Sequence, residues 1–321
     1  VLIACVGALA ALGFQEASAA PEVQANKPAA GSNEPCAASG LANKPWLTLS
    51  EARCLMVALV NRDRATMGLP PVELDLGPST IAGQRHAEDM ASHGYLGHWG
   101  TDGSTPEQRY NQAGGADMVL ENASCLTDEA PRPVDPTPKI AASQVALAES
   151  MFFNEVPPND GHRKNILRRF HKRLGVGVAQ FVPASNEIAV PCFSQEFIDA
   201  YGSYAPIPAT IAVGQSIHVE GMLTAPAHVA GVGLARVPLP APVSVPELNR
   251  RRSYPVPPPY QMYWPPGYVT PVPLRIQGEG FAIDVPVSDR GQPGLYELSI
   301  WAKLPGEADF VIVSLRTMRA E

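Results

Sequence analysis

The span from Pro240 to Pro273 holds 11 prolines in 34 residues, and it sets the tightest limit on what this chain can fold into. Proline has a fixed φ and no backbone N–H to donate. A stretch this dense therefore cannot supply a central strand or a helix interior. It has to be an irregular or polyproline-like insertion between regular elements. The segments around it, 215–223, 229–237, 281–287, 294–302 and 309–317, read as strands bounded by turn residues. No helix is expected after about residue 205, and short strands of this kind favour a β-sandwich. Tyr254, Tyr260, Tyr263, Trp264 and Tyr268 fall within or beside the prolines. They are expected to pack over that sandwich, with an exposed ligand platform as the alternative.

The first half is different. It carries five of the seven histidines, between residues 86 and 171, whereas 18 of the 34 prolines follow residue 205. Thr48 and Glu51 form a capping box, and Ala52, Leu55, Met56, Leu59 and Val60 recur at helical spacing until Gly68 and Pro70-Pro71. A second helix is expected over about 79–92, a short third one opening at Thr105-Pro106 with Gln108, and a fourth over about 139–155. The period then changes to strands at 174–181 and 187–197, with a hairpin loop at 183–186. These elements predict a layered α/β domain at 48–204, followed by the proline-rich β-sandwich domain at 205–321.

Residues 1–14 are apolar and lead to Glu16-Ala17-Ser18-Ala19-Ala20, the pattern of a secretory signal with cleavage after Ala19 or Ala20. The run is too short for a typical membrane span. Leu2-Ile3-Ala4-Cys5 offers a second reading, a lipid anchor at Cys5. Residues 21–47 read as a flexible leader. Beyond the signal, Cys36, Cys54, Cys125 and Cys192 are an even set in an exported chain, which implies two disulfides. Three connectivities are possible, of which nearest-neighbour pairing gives Cys36–Cys54 and Cys125–Cys192. The formal charge is −7 and no basic stripe appears, which argues against a nucleic-acid binder. The basic run Arg163–Arg173 is expected to be a solvated face. No phosphate loop, dinucleotide fingerprint, kinase set, calcium loop or nucleophile elbow is found.

Four residues stand out as chemistry: His98, Glu121, Glu155 and His162. Each is expected at a loop or a helix end, outside the apolar stripes. Two imidazoles and two carboxylates suit a divalent metal or an acid–base site. His86 and His93 are expected to be packed or surface positions of the second helix. Five segments then carry a resemblance: Val60-Asn61-Arg62-Asp63-Arg64, His86-Ala87-Glu88-Asp89-Met90 with Gly97-His98, Asp102 to Pro106, Glu121-Asn122, and Gly161-His162-Arg163-Lys164-Asn165-Ile166-Leu167. With Leu174-Gly175-Val176-Gly177-Val178, they resemble, in order over about 50–200, the bacterial branch of the CAP superfamily of cysteine-rich secretory, antigen 5 and pathogenesis-related proteins. Leu120 in place of a glycine and the 156–160 spacer depart from the family pattern.

The resemblance implies a three-layer α-β-α sandwich over the first half; with the strand-rich second half read as an all-β, immunoglobulin-like sandwich, the chain is expected to be α+β. The resemblance also implies secretion, and a central cavity of two histidines and two glutamates that takes zinc or magnesium. Carried over, His98 and His162 are the metal ligands. Glu121 and Glu155 orient them or ligate through water. The expected role is an extracellular or periplasmic, non-enzymatic binding module for a lipid, glycan, peptide or envelope component. A metal-assisted peptide or ester hydrolase and a structural envelope protein are the alternatives.

Overall fold

The computed structural model describes residues 36, 38–127, 129–184, 188–251 and 253–321. The expected signal segment, Cys5 and the leader up to residue 35 lie outside the described residues, as do 185–187 of the expected hairpin loop. In the rest of the leader, residues 42–46 are exposed, and two side chains anchor it. Leu41 and Leu47 are buried, and Leu47 bridges Ile140.

The first layer of the N-terminal region comprises α1 (Leu49–Thr66), with α4 (Ala142–Phe153) and α5 (Gly161–Ile166) beside it. The middle layer is a four-stranded sheet in the order β1 (Glu73–Leu74), β3 (Arg173–Gln180), β4 (Pro191–Asp199), β2 (Met118–Ser124). Helices α2 (Pro78–His93) and α3 (Pro106–Gln112) form the third layer. Thr48 caps α1 as expected: its hydroxyl accepts from the Glu51 N–H at 3.3 Å, and the Glu51 carboxylate accepts from the Thr48 N–H at 3.0 Å.

Strand alternation sorts the side chains between the two helical faces. Leu174, Val176 and Val178 of β3, with Phe193 and Phe197 of β4, point to α1 and α4 and share a core with Leu55, Met56, Val60 and Phe152. The intervening Gly175 and Gly177 face α2. A Cβ on Gly177 would stand 2.0 Å from the Gly83 carbonyl oxygen, so the glycine is required by the close approach of helix and strand. The β2 strand was not anticipated. It pairs antiparallel with β4 through Glu121↔Glu196 and is the outer edge of the sheet.

Beyond residue 200 the chain forms an all-β sandwich. One sheet runs β10 (Arg275–Gln277), β11 (Gly280–Pro286), β7 (Ser216–Leu223), β5 (Gly202–Tyr204). The other runs β6 (Thr210–Ile211), β13 (Val311–Ala320), β12 (Gly294–Lys303), β8 (His228–Val237), β9 (Gln261–Tyr263). Val219, Ile283 and Val285 of the first sheet meet Val232, Leu298, Ile300 and Val313 of the second in one core. The prolyl insertion is largely irregular, with two corrections: residues Val245–Leu248 make a single helical turn, α6, started by Ser244 and a proline in the first turn, and Gln261–Tyr263 adds β9 as an edge strand on β8.

That insertion packs on the α-β-α region as well as on the sandwich. Leu248 of α6 is fully buried in a cluster with Ala87, Met90, Ala91 and Tyr95 of α2 and the loop after it. Burial of a leucine there is worth about 1.5–3 kcal/mol. Strand β13 adds a second seam, where Asn111 of α3 donates to the Leu315 carbonyl at 2.9 Å and accepts from the Thr317 N–H at 2.6 Å. The basic run is not simply solvated. Arg168 pairs with Asp199 at 3.1 Å, Arg169 reaches Glu307 at 2.5 Å, and Arg163 lies over the Phe153 ring at 4.3 Å.

Candidate functional site

The polar cluster grows from the edge strand. Glu121 lies in the middle of β2, not at a loop or helix end as its sequence suggested. Alternation turns its side chain toward α2 and α3, where it is fully buried. The Arg109 guanidinium of α3 donates to its Oε2 at 2.7 Å and also to the carbonyls of His98 and Ser104, both at 3.0 Å. Burial alone would push the Glu121 carboxyl up. The Arg109 charge and the His98 hydrogen bond outweigh it and hold Glu121 well below the ordinary carboxylate value. Glu196, its cross-strand neighbour on β4, goes the other way: burial, with the Glu121 charge beside it, pushes it well above the ordinary carboxylate value.

Both candidate histidines are set the same way. His98 Nδ1 lies 2.9 Å from Glu121 Oε1, and His162 Nδ1 lies 2.6 Å from Glu155 Oε1. A carboxylate can only accept, so Nδ1 carries the proton in each ring, and in the neutral form Nε2 carries the lone pair. Glu155 also accepts the backbone N–H of His162 at 2.9 Å. The two ring centroids are 6.1 Å apart, and the rings, with Glu121 and Glu155, line one cavity of about 920 Å³. Burial pushes His162 below the ordinary histidine value despite Glu155, which keeps it neutral. The structure thus brings all four expected residues to one place.

Other residues of the cluster were not anticipated. His86 was expected as a helical histidine and is one, but it is fully buried and 3.6 Å from Glu121. Burial, with the Arg109 charge, pushes it down to about 4. Its Nε2–H donates to the Gly97 carbonyl at 2.8 Å, so it is neutral and fixes the loop that bears His98. Its spacing with Ala82 and Met90 was the readable signal of that burial. Arg109 and Glu196 gave none. Tyr254 comes from the prolyl insertion. It packs at 4.8 Å from the His98 ring, and its hydroxyl accepts the outward-facing Glu121 N–H at 2.8 Å. Of the aromatics in that stretch, this one serves the N-terminal cavity rather than the sandwich.

The two disulfides are Cys36–Cys54 and Cys125–Cys192. The first ties the segment before α1 to α1, and the second links the end of β2 to β4. Residues 57–190 match the model of the cysteine-rich secretory protein family, CAP.

This segment is a CAP domain. The motifs at 60–64, 86–98, 121–122 and 161–167 all lie within the matched residues. No curated protein matches the chain. The domain match and the two disulfides are those of a secreted-type protein. Among the described residues no helix is long and apolar enough to cross a membrane. No group of three or more His, Cys, Asp or Glu side chains is placed to hold a metal ion among them. The donor set at the CAP cavity is two imidazole nitrogens, with both carboxylates occupied in orienting the rings. It fits a metal only if water or a ligand fills the remaining positions.

Proposed function

We propose that the chain is an exported, non-enzymatic binding module. His98 and His162 hold a divalent metal through Nε2, and the ion receives a donor group of a lipid, glycan or peptide. The reading rests on one observation: both imidazoles are tied at Nδ1 to a glutamate and line the same cavity. That is the arrangement in which outer carboxylates orient metal-bound histidines. Imidazole donors favour zinc over magnesium. When bound, the ion would supply positive charge and open coordination positions. The apolar 1–14 segment with its small-residue end, and two disulfides, support export.

Hydrolysis is the weaker reading. A glutamate that activates water needs a free carboxylate oxygen. Glu121 is shared among Arg109, His98 and Ser194, and both oxygens of Glu155 are taken by His162. Calorimetric titration of the metal-free protein with zinc tests the proposal. One ion per chain is expected in the wild type, with binding lost in His98→Ala and in His162→Ala. No zinc uptake, or uptake indifferent to both substitutions, overturns it.

A further inference from the structure

A second cavity, of about 730 Å³, lies between the CAP domain and the sandwich. It shares only Arg251 and Pro255 with the histidine cavity. Its wall is apolar: the prolines of the 238–242 and 255–258 segments face Trp99 and Leu315. Into this wall are set two carboxyl side chains, Glu107 of α3 and Glu297 of β12, each only 4% exposed. Glu107 Oε1 and Glu297 Oε2 have no hydrogen-bond partner. The other Glu297 oxygen receives only a long bond, 3.4 Å, from Gln108. No described Lys, Arg or His forms an ion pair with either glutamate.

Two buried carboxyls, each with an unpartnered oxygen, are costly in a purely structural seam, and burial pushes both up, Glu107 to about 8. A ligand that donates to both would remove that cost. Among the described residues, the one cation lining the cavity, Arg251, is committed elsewhere: it lies 4.5 Å over the Trp99 ring and bonds Glu247 at 3.3 Å. The cavity has the size of a small-molecule site, and its buried acidic groups, Glu107 and Glu297, lack a cationic partner among the described residues.

We propose that this cavity binds an organic cation, a primary ammonium group on an apolar chain. The ammonium lies between Glu107 and Glu297, and the chain lies along the prolyl wall. The proposal does not depend on metal binding by the histidines.

Three eight-carbon probes of different charge test it on the full chain at pH 8.5, above the value of about 8 to which burial pushes Glu107: octylammonium, 1-octanol and octanoate, titrated by calorimetry below their aggregation concentrations. Octylammonium is expected to bind at least about tenfold more tightly than either of the others, the worth of a charge-assisted hydrogen bond. Glu107→Gln and Glu297→Gln are each expected to weaken octylammonium about tenfold and to leave octanol unchanged. Absence of octylammonium binding, equal binding of octylammonium and octanol, or octylammonium binding unchanged in both variants overturns the proposal. If either variant fails to fold, the wild-type charge series decides: preference for the ammonium supports the site, and its lack refutes it.

Discussion

Glu149 offers a quantitative check on the floor of the CAP domain. It lies on α4, fully buried, and its Oε2 accepts from Gln195 Nε2 at 2.5 Å; Gln195 in turn accepts from Asn122, the residue after Glu121. Burial, with the nearby Asp63 charge and against Arg62, pushes Glu149 up to about 8 from an ordinary 4.5. The folded protein therefore holds a proton that the unfolded chain has already released. The stability due to neutral Glu149 is complete below about 4.5 and is lost as pH rises toward 8. The slope is about 1.4 kcal/mol per pH unit in mid-range and falls off near 8, so about 3.5 kcal/mol disappears between pH 5 and 8. Glu149→Gln keeps an acceptor for Gln195 and has no proton to lose. Urea unfolding at pH 5, 6, 7 and 8, followed by tryptophan fluorescence, should show the variant gaining on the wild type by about 1.4 kcal/mol per unit in mid-range. Other raised carboxyls cancel in that difference. Parallel stability curves for the two proteins would refute the reasoning.

Three further outcomes follow from contacts around the cavity. Tyr254→Phe strands the Glu121 N–H and should cost about 1–3 kcal/mol in urea unfolding; an unchanged midpoint would show that water replaces the hydroxyl. Gly103 has φ +83°, and a Cβ there would stand 2.2 Å from the Ala241 carbonyl oxygen. Gly103→Ala should therefore lift the prolyl segment, costing about 1–3 kcal/mol and exposing 241–258 to limited proteolysis at a rate the wild type does not show. Cys125→Ala with Cys192→Ala opens a loop spanning 67 residues; loop-closure entropy puts the loss at about 4 kcal/mol, readable as a lower thermal midpoint.

Much of the fold could be read from the chain because its signals are local. The strands at 216–223, 228–237 and 294–303 are short segments bounded by turn residues, and the first helix declares its own cap. The β2 strand escaped because Glu121-Asn122 interrupts its apolar run, and those polar residues are stable there only with partners from α2, α3 and β4. Motif order led to His98, Glu121, Glu155 and His162, and the structure places these four around one cavity. Arg109 and Glu196 were invisible for a physical reason. A buried arginine and a buried glutamate raised well above its ordinary value make sense only against the Glu121 charge, and no spacing encodes that. The prolines predicted an irregular insertion correctly but could not say which surface it covers. That depends on Leu248 meeting α2 and on Tyr254 meeting β2, contacts set by the tertiary arrangement.

The seal that Tyr254 makes on β2 comes from 133 residues further along the chain. An outermost strand left bare presents unpaired N–H and C=O groups to any other extended segment. Loosening the prolyl segment to widen the way to His98 would therefore also uncover a surface on which a second molecule can add a strand. Ligand access and resistance to self-association are governed by the same few contacts. Sequence change that opens the cavity is bounded by the risk of aggregation.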